Sequence, residues 1–343
     1  MNKIKVLHLH FGTDGGAERF FVNLVNAFPK NNLEQKFIIR PNRGWKNEIS
    51  PLGEVIENNG RRFFLSGLLL KWKIRSIIKE WQPNVIMAWM PRAASFIPNI
   101  SHITTLVRLG DFPRHLEHFR YCDIIVGNVP DIVKHCQKLG WSGNTKTISN
   151  FPREVNPVAV PRDQLNTPEE AFVIVNAGRF VYRKGFDLMI RVAAKIPNSY
   201  LWLIGDGTEY QKLKDLAAEL NILDRVRFIG WVDEPIHYLA SSDVLLMPSR
   251  HEPLGNTILE AWQANIPVVS TRSEGPNWYM DNEENGILID IDDLDAAVNA
   301  VNKIKTDANF THKIKKGGQL KLSEYFSSEK IVEQYIDIFN SKI

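Results

Sequence analysis

Val244-Leu245-Leu246-Met247-Pro248-Ser249-Arg250-His251-Glu252-Pro253-Leu254-Gly255-Asn256-Thr257-Ile258-Leu259-Glu260-Ala261 contains a strand, a loop and the start of a helix. The apolar run 244–247 reads as a buried strand, Gly255 punctuates, and the residues after it read as helical. Glu252 then lies on the loop at the strand's carboxyl end, and Glu260 about one turn into the helix. In an open parallel sheet, ligands bind in the crevice beyond those strand ends. Two acids there, one beside a ring of free helix N–H groups, suit a ligand that is anionic and rich in hydroxyls. A nucleotide sugar fits that description.

The same alternation runs outward in both directions. Residues 172–177, 200–204, 226–229, 267–270 and 286–289 read as further strands, with helices over 185–195, 209–220, 235–240 and 257–263. Before them, 6–10, 37–40, 85–89, 103–107, 124–128 and 147–149 read as strands, with helical stretches at 16–28 and 68–81. Strands alternating with helices imply βαβ units and parallel sheets. Between the two series, Phe151-Pro152-Arg153-Glu154-Val155-Asn156-Pro157-Val158-Ala159-Val160-Pro161 has three prolines and no periodicity, and reads as a linker. The stretch 328–341 has helical spacing at Ile331, Tyr335, Ile336, Ile338 and Phe339. The expected fold is α/β: two Rossmann-like, doubly wound domains facing across a cleft. One covers 1–155 plus a C-terminal helix at about 326–343, the other 165–325.

Composition narrows the class. The 343 residues are 44% hydrophobic and 24% charged, which is ordinary for a soluble globular chain with ample core material. No stretch approaches the roughly 18 uncharged apolar residues of a membrane span, and the N-terminus reads as a first strand rather than a secretory signal. Cys122 and Cys136 form neither a metal spacing nor a disulfide framework, so a reducing cytosol is the simplest home. The net charge of +3 is unevenly spread: residues 1–156 hold 22 Lys and Arg against 12 Asp and Glu, and the remainder 20 against 27. A basic first half points to an anionic surface or ligand, or is drift between two solvated surfaces.

Three constellations carry chemistry. Gly12-Thr13-Asp14-Gly15-Gly16-Ala17-Glu18 follows the first strand and opens a helix. Its glycines permit close backbone approach to an anion, although a tight strand–helix turn uses the same residues. The spacing is neither GxGxxG nor a P-loop. Asn176-Ala177-Gly178-Arg179-Phe180-Val181-Tyr182-Arg183-Lys184-Gly185 also closes a strand, so Arg179 and Lys184 can converge on a diphosphate, the first by forked hydrogen bonds and the second as a compact charge. In the opening stretch, Glu260 can accept hydrogen bonds from two ribose hydroxyls, while amides around Gly255, Asn256 and Thr257 hold a phosphate with the help of the helix dipole. Glu252 serves either the sugar or the electrostatics of the helix start.

The order of these motifs carries a resemblance. Gly178-Arg179, Arg183-Lys184-Gly185, Leu203-Ile204-Gly205-Asp206-Gly207, Phe228-Ile229-Gly230-Trp231-Val232, Pro248-Ser249 and the Glu252/Glu260 pair resemble the retaining nucleotide-sugar glycosyltransferases of the GT-B fold, family 4 (glycosyl transferases group 1). So do Ala264-Asn265-Ile266-Pro267-Val268-Val269-Ser270-Thr271 and Glu284-Asn285-Gly286-Ile287-Leu288. The first half matches in Gly15-Gly16-Ala17-Glu18-Arg19 and in layout.

The resemblance implies a hexosyl transfer from a nucleoside-diphosphate sugar, as co-substrate, with no other cofactor and no metal. It implies that Arg179 and Lys184 hold the diphosphate, Glu260 the ribose and Glu252 the sugar. Gly15 and Gly16 let the first-domain loop approach the phosphate, Gly205 lies in the donor site, and Trp231 and Val232 border the base. The base itself (UDP, GDP or ADP) is left open. Many members carry a first-domain histidine where this chain has Thr104-Thr105-Leu106-Val107-Arg108-Leu109-Gly110-Asp111-Phe112. Arg108 or Asp111 is expected to face the acceptor there. Arginine cannot act as a base at neutral pH, which favours Asp111 for polarising a hydroxyl.

Arg61-Arg62-Phe63-Phe64-Leu65-Ser66-Gly67-Leu68-Leu69-Leu70-Lys71-Trp72-Lys73-Ile74-Arg75 mixes basic, aliphatic and aromatic residues. It reads as a core helix with a solvated basic face, or as a contact with an anionic membrane surface. Trp89-Met90-Pro91-Arg92-Ala93-Ala94 and Arg108-Leu109-Gly110-Asp111 resemble branches that build bacterial lipopolysaccharide cores. The expected partners are therefore the nucleotide-sugar donor, an anionic glycan or lipid-linked acceptor, and the inner face of the cytoplasmic membrane as a peripheral contact. A nucleic-acid partner would need basic-helix or aromatic-platform motifs that are missing. The alternatives are a GT-B sugar-nucleotide epimerase and a non-catalytic nucleotide-sugar-binding subunit.

Overall fold

Short runs that are apolar at every position need cover on both sheet faces, which parallel strands flanked by helices provide. The computed structural model, which describes residues 3–13, 15–59 and 65–341, has this arrangement twice. The chain divides into two compact units, Met1–Phe151 with Ser327–Ile343, and Pro152–Phe326.

In the first unit, strands β1 (Ile4–His10), β2 (Leu33–Ile39), β3 (Gly53–Glu57), β4 (Val85–Trp89), β5 (Thr104–Leu109), β6 (Ile124–Gly127) and β7 (Asn144–Thr147) form one sheet in the order β3-β2-β1-β4-β5-β6-β7. Every pairing is parallel, and β4 and β5 are buried along their whole length. Winding reverses between β1 and β4. The helix Gly16–Ala27 buries Phe20, Phe21, Leu24 and Val25 against this sheet. The C-terminal helix Ser328–Asn340 adds Ile331, Tyr335, Ile338 and Phe339 to the same core. At the start of that helix, the side chain of Ser327 accepts from the amide of Lys330, an N-cap of the usual kind.

The second unit repeats the plan with β8 (Phe172–Ala177), β9 (Ser199–Ile204), β10 (Val226–Gly230), β11 (Val244–Met247), β12 (Val268–Thr271) and β13 (Ile287–Ile289), ordered β10-β9-β8-β11-β12-β13. Its winding reverses between β8 and β11, which are paired in register at Leu245 and Val175. The quoted stretch therefore supplies one wall of a switch-point crevice.

Several elements escape the sequence reading. Strand β3 lies at the sheet edge with mixed burial, so it lacks an apolar run. The helix Ala308–Tyr325, for which the sequence reading names no element, contains Gly317 and Gly318, both poor helix formers. A Cβ on Gly317 would stand 2.0 Å from the Glu284 carbonyl oxygen, and one on Gly318 would stand 2.3 Å from Trp262. Packing selects glycine there at the expense of helix propensity. The segment read as a linker instead lies along the second unit. Arg153 pairs with Glu234 at 2.8 Å, Gln263 donates to the carbonyls of Arg153 and Val155, and the amide of Val160 donates to Ser241. Its prolines cannot join a ladder, so side chains satisfy the extended backbone.

Candidate active site

The second unit's site grows from the carboxyl ends of β8 and β11. Beyond β8 the chain runs through Gly178 and Arg179 into a 3₁₀ turn, Tyr182–Lys184, and then into the helix Phe186–Lys195. Gly185 joins turn and helix with φ 69°, and a Cβ there would stand 2.0 Å from the Pro248 carbonyl oxygen beyond β11. Only glycine meets both demands. The two strand-end loops thus meet backbone against backbone.

That contact brings Lys184 onto Glu252. The ammonium and carboxylate are in direct contact, both largely shielded from solvent. Ser249 donates a further bond to Glu252 at 3.4 Å. The Glu252 amide donates to Glu274 at 3.0 Å, and the other Glu274 oxygen lies 2.7 Å from His251 Nδ1. Glu274 opens the helix Glu274–Tyr279 and so anchors the acid's backbone.

After Glu252 the chain turns through Gly255, φ 89°, into the helix Asn256–Gln263. Gly255 has no side chain with which to cap the helix, and the helix start is its electropositive end. Thr257 donates to the carbonyl of Ala177 at 3.2 Å, stapling the helix start to the end of β8. The Tyr279 hydroxyl donates to the Leu254 carbonyl at 2.9 Å and holds the loop from behind.

Glu260 faces a different environment from Glu252. It has no hydrogen-bond or ionic partner among the described residues, and burial pushes its carboxyl up from 4.5 to about 7. A desolvated carboxylate without donors binds hydroxyl donors readily. Arg179 is exposed at the end of β8. Gly205 is bonded to Gly230 through its amide at 2.8 Å and packs on Gly178, which links the ends of β8, β9 and β10. Just past Gly230, Trp231 stands 65% exposed, with Val232 half-buried beside it.

The first unit holds the remaining candidates. Gly15 precedes the helix Gly16–Ala27, and Asp14 lies outside the described residues. Glu18, in that helix's first turn, folds back so far that its carboxylate occupies the place of a Cβ on Gly12. Arg108 does not face solvent at all. It is 1% exposed, donates to Asn150, and lies over the Phe20 and Trp89 rings at 4.7 and 5.8 Å. The sequence aims this residue at the acceptor, but β5 is covered on both faces and sends the side chain into the core instead. Asp111 is half-buried just beyond β5 and accepts from the amide of Phe112 at 2.9 Å.

Two features were missed from sequence. His10 ends β1 buried against Phe21 and Trp89, with Nε2 unpartnered among the described residues. Burial, and next the Arg108 charge, lower its pKa to about 3. The alternation His8-Leu9-His10 within a strand was the available signal. His115, Glu117 and His118, on the first unit's loop beyond β5, form the one group of side chains among the described residues close enough together to chelate a cation. His115 and Glu117 are exposed, and none of the three belongs to the strand-end loops of the second unit.

Comparison with known proteins gives the family. Residues 160–321 match the family Glycosyl transferases group 1. Lipopolysaccharide core biosynthesis glycosyltransferase LpsE of Rhizobium meliloti is 44% identical over 99% of this chain and 100% of its own length. LpsD of the same organism is 40% identical over 98% of each. The crystal structure of Anabaena HepE in complex with UDP-glucose superposes with a TM-score of 0.84 at 21% identity, covering 98% of this chain and 100% of that one. The two Rossmann-like sheets are those of the GT-B glycosyltransferases. This chain belongs to the glycosyl transferases group 1 family and is an enzyme that transfers sugar.

Proposed function

We propose that the protein is a retaining glycosyltransferase that moves a hexose from a nucleoside-diphosphate sugar to a hydroxyl of a lipopolysaccharide core acceptor. The observation that carries this reading is the second unit's crevice. There the Lys184–Glu252 pair, the helix start at Gly255, and Glu260, which has no ionic or hydrogen-bond partner among the described residues, stand at the ends of β8 and β11. The acceptor follows from LpsE and LpsD, both named for core biosynthesis and both matched over almost their full length. HepE, solved with UDP-glucose, makes uridine nucleotides the first donors to test.

In this reading Glu260 accepts hydrogen bonds from the ribose hydroxyls, and Lys184, Arg179 and the amides from Gly255 onward receive the diphosphate. The bond between the anomeric carbon and the diphosphate oxygen breaks while the acceptor oxygen bonds to the same face. The acceptor proton passes to the departing diphosphate. These cationic and N–H groups stabilise the charge developing on the leaving group, so the chemistry runs without a metal. Glu252 fixes Lys184 and stands ready for a sugar hydroxyl. Asp111, on the first unit, is the candidate for polarising the acceptor.

The lipid-linked acceptor has a matching surface. The helix Leu65–Trp81 buries Leu70, Ile74 and Ile77 but exposes Leu68, Leu69 and Trp72 beside Lys71, Lys73 and Arg75. Apolar and basic groups side by side suit an anionic membrane surface, so we place the enzyme at the inner face of the cytoplasmic membrane. Arg61, Arg62, Phe63 and Phe64, from the same motif, lie outside the described residues. Among the described residues no helix is long and apolar enough to cross a membrane.

The test is a thermal-shift screen of UDP, GDP and ADP sugars, since a ligand that binds only the native state raises the melting temperature by mass action. The best donor is then incubated with purified lipopolysaccharide core, and the product linkage is read by NMR. A retained anomeric configuration is expected. Inversion, or epimerised free nucleotide sugar without transfer, overturns the reading.

A further inference from the structure

Arg250 sits in the decisive stretch without a role in the donor reading. The structure gives it a demanding one. Its guanidinium is 14% exposed and forked onto Asp187, with bonds of 2.9 and 2.7 Å to the two carboxylate oxygens. The first of those nitrogens also donates to the Tyr182 carbonyl at 2.7 Å, and the guanidinium lies 4.1 Å from the centre of the Tyr182 ring. Asp292, on the turn after β13, pairs with it at 2.8 Å. The Arg250 amide donates to the Arg183 carbonyl at 2.8 Å.

Tyr182 and Arg183 are the two residues before Lys184 in its 3₁₀ turn, and Asp187 opens the helix that follows. Arg250 itself stands two residues before Glu252. The guanidinium therefore joins the two loops that the Lys184–Glu252 pair and the Arg250 amide also cross-link, and adds a third loop through Asp292. A planar fork can satisfy a carboxylate, a carbonyl and an aromatic face together, whereas a lysine ammonium in its place offers a point charge without the fork.

We propose that Arg250 is a positioning residue of the donor site: its guanidinium holds the turn carrying Lys184 in register with the loop carrying Glu252, so that the ammonium is in place before a diphosphate arrives. Ordering this ammonium in advance spares the donor that part of the cost of binding. The proposal rests on the reading of Lys184 as a diphosphate ligand. It predicts that Arg250 acts on affinity through Lys184 and not through the nucleoside.

The test is calorimetry of whichever of UDP, GDP or ADP the wild type binds most tightly, together with the matching nucleoside. It is run on Arg250→Lys, Lys184→Ala and the double variant. Arg250→Lys is expected to weaken the nucleoside diphosphate by about tenfold and the nucleoside by less than about twofold. In the Lys184→Ala background the same change is expected to have no further effect. Asp292→Asn removes one arm at the outer end of the clamp and is expected to give a smaller loss of the same kind, so the proposal stays testable if Arg250→Lys folds poorly. Equal losses for diphosphate and nucleoside, additive losses in the double variant, or unchanged affinity in both single clamp variants overturn it. A wild type that binds no nucleoside diphosphate overturns the donor-site reading itself, a result distinct from these.

Discussion

The ammonium of Lys184 rests on the carboxylate of Glu252, across two loops that only the pairing of β8 with β11 brings together. The cation that the proposed function assigns to the donor diphosphate is thus held by a carboxylate of its own unit. In the proposed reading, a diphosphate shares this ammonium with Glu252 and does not have to order it.

Removing one partner of this shielded pair leaves the other desolvated and unpaired. Lys184→Ala is expected to destabilise the fold by about 2 kcal/mol, and Glu252→Gln by a similar amount. The double variant should lose about 1 kcal/mol or more less than the sum, because the second change removes a group already stranded. Urea unfolding of the four proteins measures this; strict additivity would mean that the pair contributes nothing.

Glu260 makes stability depend on pH. Its folded-state value of about 7 lies above the usual 4.5. Its contribution therefore favours the fold in full below about pH 4.5 and is lost as the pH rises through about 7. Glu260 is half-buried, and Glu260→Gln removes its partly desolvated charge, so the ligand-free variant should be about 1–2 kcal/mol more stable than wild type at pH 8 and equal to it at pH 4. The same change should weaken nucleoside binding about tenfold, because a charged acceptor for the ribose hydroxyls is gone. A variant that is neither stabilised at pH 8 nor weakened for nucleoside would remove Glu260 from the donor site.

His8 and His10 act in the opposite direction. Burial holds both near pKa 3, so they are neutral in the folded protein while the unfolded chain takes up protons below pH 6.5. Their stabilising contribution is present above pH 6.5 and is lost as the pH falls toward 3. Each should cost about 2 kcal/mol on going to pH 5. His10→Phe should shrink the acid loss by about half, read from unfolding midpoints at pH 7.5 and 5. An unchanged acid slope would show that His10 does not titrate with folding.

Lys71, Trp72 and Lys73 test the membrane surface. Reversing both lysines to glutamate should lower binding to vesicles containing phosphatidylglycerol by about tenfold or more, and Trp72→Ala by a smaller factor. Neutral vesicles should show little binding of any form. Equal co-sedimentation of wild type and the reversed variant on anionic vesicles would rule this surface out.

Much of the architecture is legible along the chain, because strands covered on both faces must be apolar at every position. The runs at 85–89 and 244–247 announce β4 and β11 for this reason. The edge strand β3 and the glycine-containing helix Ala308–Tyr325 are not legible. Edges relax the burial rule, and the demand for glycine at Gly317 comes from Glu284, a residue distant in sequence. The donor-site motifs are likewise visible, since glycines, a helix start and flanking charges are local features.

The sequence by itself determined the alternation of strand and helix, the family motifs and the side of the sheet on which Arg179, Lys184, Glu252 and Glu260 emerge. Short-range sterics and burial periodicity decide such things. The tertiary structure alone decided that Lys184 pairs with Glu252, that Glu260 is half-buried without a donor among the described residues, that Arg108 is buried under Phe20 and Trp89, and that Arg250 joins three loops. A charge's partner and its exposure to water are set by which distant strand ends the sheet order brings together, and that order is not written in any one stretch of the chain.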